Sequence, residues 1–142
     1  MKQKDVLINI KGVYRYDDDE DDVVELFTEG KYYKKNGDYY ISYQESEATG
    51  FEGAQTTLRV EEQDKVTLVR SGPAVSQLIV QNGVRHQCHY DIGYGDMMIG
   101  VQGNLIRSSL GDHGGNLHFR YSLDVNSLLA SENEMTINVK EC

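Results

Sequence analysis

From Ala54 to Gly83 apolar side chains fall on alternate positions in three consecutive runs, AQTTLRVEE, VTLVRSGPA and VSQLIVQNG, each closed by residues that favour turns. A period of two belongs to strands. Thr56, Leu58 and Val60 share one face of the first run, while Gln55, Thr57, Arg59 and Glu61 share the other, so each segment has one face to bury. A chain built this way must pair its strands into a sheet with a single apolar side.

The pattern extends over the rest of the chain. Lys4–Tyr16 carries Val6, Ile8, Ile10 and Gly12 on one face. Val23–Lys35 and Asp38–Glu45 are joined by Asn36-Gly37, a turn dipeptide that tolerates positive φ. Gly50 and Gly53 mark a bend before the central runs. Asn82-Gly83, expected to form a two-residue type I′ turn, leads into Val84–Ile92. Asp96–Gln102, Asn104–Gly111, Asn116–Val125 and Glu134–Lys140 follow as separate strands, and only the linker VNSLLASEN (125–133) could hold a helical turn. Strands recurring about every 8–12 residues between tight turns read as an antiparallel up-and-down meander. Closing that meander into a barrel removes its exposed edges. The expectation is one all-β domain over residues 1–142, a single antiparallel up-and-down barrel of about 8–10 strands.

A formal charge of -9 argues against nucleic acid or an anionic membrane as partner, because both require basic surface. No apolar run approaches the roughly 20 residues of a membrane-spanning helix. The N-terminal MKQKDVLINIKG lacks the apolar stretch of a signal peptide, so a cytoplasmic location is expected, as a monomer or homodimer. The 2 cysteines, Cys88 and Cys142, are then thiols.

Motifs that would name a reaction are missing. Asp17–Asp22 reads DDDEDD, but Asp22 and Thr28 occupy the places where a calcium loop needs glycine and glutamate, so the run reads as a solvated loop. In His86-Gln87-Cys88-His89 the strand period sends His86 and Cys88 to one face and His89 to the other, which splits any metal cluster. There is no Gly-x-Ser-x-Gly elbow, and the glycine pairs at Gly93/Gly95 and Gly100/Gly103 precede no helix that could cradle phosphate. No metal, no cofactor and no enzymatic activity are expected.

Taking the more apolar alternation as inward gives Val6, Ile8, Ile10, Leu26, Ile41, Leu58, Val60, Val66, Leu68, Leu78, Val80, Met97, Ile99, Val101, Leu117, Phe119, Leu123, Met135, Ile137 and Val139. The same alternation carries Tyr43, Glu45, Thr56, Arg70, His86, Cys88, Tyr90 and Tyr121 inward. An apolar interior with a few convergent polar groups is the usual form of a ligand site. The candidate site is therefore Arg70, Glu45, Tyr43, His86, Tyr90 and Tyr121. An arginine drawn inside needs an anion, and Glu45, in phase with Ile41 and Tyr43, is the nearest carboxylate that matches.

The stretches YYISYQESEATGFEGAQTTLRVEEQDKVTLVRSG, LIVQNG, HYDIGYGDMMIGVQGNLI and GGNLHFRYSLDV resemble the YwiB-like family of small Gram-positive bacterial proteins of unknown function. The resemblance covers nearly the whole chain. It implies a lipocalin-like, or calycin, closed barrel with a central cavity, and it implies no reaction. The function expected is non-enzymatic binding of a small amphipathic or anionic molecule inside the barrel. The alternative is a structural or protein-interaction barrel with a filled interior.

Overall fold

The computed structural model describes residues 3–16, 21–46, 52–61, 64–72, 75–91 and 96–142, with the backbone alone for Tyr90, Asp91 and Asp96. The described chain is strands and turns throughout: β1 (Lys4–Arg15), β2 (Asp22–Lys35), β3 (Asp38–Gln44), β4 (Gln55–Glu61), β5 (Lys65–Ser71), β6 (Ser76–Gln81), β7 (Arg85–Asp91), β8 (Asp96–Ser108), β9 (Gly114–Val125) and β10 (Leu128–Glu141). Each strand pairs antiparallel with its neighbours in sequence, and β1 closes the barrel on β10 from Val6↔Glu141 to Arg15↔Glu132. No described helix is long and apolar enough to cross a membrane.

The expected inward faces hold. Leu26, Met97 and Leu123 are partly buried against the core, and the other apolar residues assigned inward are buried. Two boundaries differ from the sequence reading. The segments 96–102 and 104–111 are not two strands: β8 runs continuously to Ser108, with its register against β9 shifting between Gly103 and Leu105. That bulge moves the inward face from Val101 to Ile106, which is why Ile106 joins the core out of phase. The linker 125–133 holds no helical turn. Asn126 and Ser127 both take positive φ, 53° and 68°, as a type I′ turn requires, and β10 begins at once at Leu128. A second register shift, between Leu129 and Ser131, then turns Ser131 and Asn133 into the barrel, where both are buried.

The Asn82-Gly83 turn also departs from expectation. Gly83 has φ 77° but Asn82 is not in the positive region, so the φ signs are those of a type II rather than a type I′ turn. Such turns do not match strand twist and splay the strands they join. Accordingly, among the described residues, the β6–β7 pairing comprises Ser76↔Tyr90 and the bridge Gln81↔Val84. Neighbouring strands hold the turn instead: the Asn82 N–H donates to the Asp64 carbonyl at 3.0 Å and the Gly83 N–H to the Gly103 carbonyl at 2.9 Å.

The expected bend at Gly50, the whole of Asp17–Glu20 in the acidic run, and the Gly93/Gly95 pair lie outside the described residues.

A candidate ligand cavity at one end of the barrel

One half of the interior is filled. Tyr32, fully buried, donates its hydroxyl to the Gly111 carbonyl at 2.7 Å and stacks on Tyr39 with centroids 5.5 Å apart. Burial holds its phenol well above the usual tyrosine range. The other half contains a cavity of about 420 Å³. Its apolar wall is Ile10, Leu26, Leu68, Leu78, Leu123 and Met135, and its polar groups are Tyr14, Glu45, Arg70, Tyr121, Ser131 and Asn133. Tyr16, Asp22 and Val23 also line it and are exposed, which marks the mouth.

The polar groups follow from strand register. Thr56 on β4 pairs with both Tyr43 on β3 and Arg70 on β5, so three inward side chains meet on adjacent strands. Glu45 extends β3 by one residue, because its N–H donates to the Ala54 carbonyl at 2.8 Å. Its Oε1 accepts from Thr56 Oγ1 at 2.6 Å and faces Arg70 Nη2 at 3.6 Å, with 2% of the Glu45 side chain and 10% of the Arg70 side chain exposed. Glu45 Oε2 is buried with no hydrogen-bond partner among the described residues, as is Asn133 Oδ1. Tyr43 is buried beside the pair. Burial first, then the charge of Glu45, pushes its phenol far above the usual range, against the opposing pull of Arg70.

Of the sequence-derived candidates, Arg70, Glu45 and Tyr121 line the cavity, while Tyr43 is buried beside the Arg70–Glu45 pair and is not part of the lining. His86 does face inward, as its period requires, but it does not line the cavity: its Nε2 is 2.8 Å from Gln81 Oε1 at the β6–β7 turn. The Tyr90 side chain lies outside the described residues. Cys88, also inward, is buried and accepts from the Ile79 N–H at 3.4 Å, and burial raises its thiol. Its neighbour His89 is exposed on the other face, while His118 pairs with Glu134 at 2.6 Å and His113 lies 3.4 Å from Glu141. No group of three or more His, Cys, Asp or Glu among the described residues could hold a metal ion.

Ser131 and Asn133 escaped the sequence reading because 125–133 looked like a linker. Their signal was nevertheless present, since Ser131, Asn133, Met135, Ile137 and Val139 continue one period of two.

Relatives of the chain share this architecture. It is 28% identical over 138 residues to the uncharacterized beta-barrel protein YwiB of Bacillus subtilis, covering 96% of this chain and 94% of that protein. The crystal structure of the ywiB protein from Bacillus subtilis matches with a TM-score of 0.84 at 23% identity, over 99% of this chain and 93% of that one. The YwiB-like resemblance of the sequence is borne out, and a family model spans residues 8–137: the chain belongs to the family described as a domain of unknown function, DUF1934.

Proposed function

We propose that the protein is a non-enzymatic binder that takes up a small amphipathic molecule through the mouth at Tyr16, Asp22 and Val23. The observation that carries this reading is the cavity itself. At about 420 Å³ it falls within the roughly 300–1,000 Å³ usual for small-molecule sites. Its composition supports the same reading: aliphatic walls offer an apolar tail a dry surface, and a few polar groups would fix a head. A barrel serving only as a scaffold would gain from filling this volume, since packed interiors leave few voids larger than a water molecule. Native mass spectrometry of the protein purified from its own host, followed by solvent extraction, tests the proposal. A bound small molecule released on denaturation is expected. A protein that carries nothing and binds no member of an amphiphile panel would overturn the reading.

A further inference from the structure

We infer that the head group accepted by this cavity is a hydrogen-bond-donating cation, of the class of a primary alkylammonium, and that a carboxylate head is disfavoured. This rests on the binding reading above and adds to it the chemistry of the head. Arg70 would be the obvious attraction for an anion, but Glu45 already lies against it at 3.6 Å inside the barrel. Of the two Glu45 oxygens, Oε1 accepts from Thr56, and Oε2 is buried with no hydrogen-bond partner among the described residues. Asn133, 3% exposed, likewise presents a buried Oδ1 with none. Both residues line the cavity. These two oxygens accept hydrogen bonds and donate none, so the group that completes them must donate. An ammonium brings three donors and no acceptor. A carboxylate would set lone pairs against lone pairs and add a second negative charge beside Glu45. Among the described residues, the charged groups of the lining point the same way, with the carboxylates of Asp22 and Glu45 against the guanidinium of Arg70.

Three probes with the same tail separate the possibilities: octylamine, octanol and octanoate, titrated calorimetrically at neutral pH into the wild type and into Glu45→Gln. Octylamine should bind at least about tenfold more tightly than octanoate, the scale set by one charge-assisted hydrogen bond. In Glu45→Gln it should lose about tenfold, while octanol changes by less than about twofold. Equal or tighter binding of octanoate overturns the inference and leaves the binding reading standing. A preference for octylamine that survives Glu45→Gln unchanged also overturns it, because attraction to the acidic surface would then explain the preference. Failure of all three probes to bind the wild type counts against the binding reading itself. The wild-type ranking needs no variant to fold, so it decides the matter alone if Glu45→Gln is unstable.

Discussion

Arg70 and Glu45 each remove a charge from water, and each is tolerable because the other is there. Removing one partner of a buried pair leaves an uncompensated charge, so Arg70→Met should destabilise the barrel by about 3–5 kcal/mol in urea unfolding. Adding Glu45→Gln should recover much of that loss, as a double-mutant cycle would show. An Arg70→Met protein as stable as the wild type would mean that the pair contributes nothing. Tyr32 and Tyr43 make a second prediction, in pH. Their phenols are raised in the folded state, so they keep protons that the unfolded chain gives up near pH 10. Stability is therefore fully present below about pH 10 and falls as pH rises above it. Tyrosine absorbance should show that the phenols of Tyr32 and Tyr43 ionise only as the protein unfolds. Complete titration near pH 10 without unfolding contradicts this. At this scale alternation revealed which side chains point inward, and so found Arg70, Glu45, Tyr43 and Tyr121. It could not give the height of a side chain along the barrel axis, which is why His86 has the right face and lies outside the cavity.

Turns and bulges set which halves of the strands meet. The Asn36-Gly37 turn was legible because that dipeptide favours positive φ at both positions, and both adopt it, at 53° and 88°. Asn126-Ser127 adopts the same signs with a residue that resists them, so the turn was missed and β10 was begun too late. Ser127→Gly should relieve this and raise stability by about 1 kcal/mol, since the Ser127 contact to Asp124 comes from its backbone N–H and survives. Unchanged or lowered stability would show that the left-handed serine is not strained. Bulges were illegible because an inserted residue shifts phase without a composition signal. Gly103 at the β8 bulge permits close approach: a Cβ there would meet the Gln81 carbonyl. Gly103→Ala should cost about 2–3 kcal/mol and further loosen the β6–β7 seam, read as faster exchange of the Ile79 amide, whose N–H faces Cys88 on β7. Exchange unaltered at that amide would contradict the role given to the glycine.

The whole molecule divides into a filled half and an open half, and its response to truncation should divide likewise. Phe119→Ala, at a fully packed position, should cost about 3–5 kcal/mol, whereas Leu68→Ala, at the cavity wall where fewer partners surround the side chain, should fall nearer about 2 kcal/mol. Equal costs would mean that the two halves are packed alike. The barrel and its strand order followed from the period of two, because a long meander with one apolar face has few other ways to hide its edges. The cavity did not follow, since its existence depends on the volumes left between Leu68, Leu78, Leu123 and Met135 once the strands take their register. Methyl NMR during an octanol titration tests its role most directly. If the open half is the binding site, the methyl signals of Ile10, Leu68, Leu78, Leu123 and Met135 shift together and saturate, while those of Val66, Leu117 and Ile137 stay fixed. Shifts confined to the exposed Leu128 and Leu129, or no saturable shift at any methyl, would contradict it.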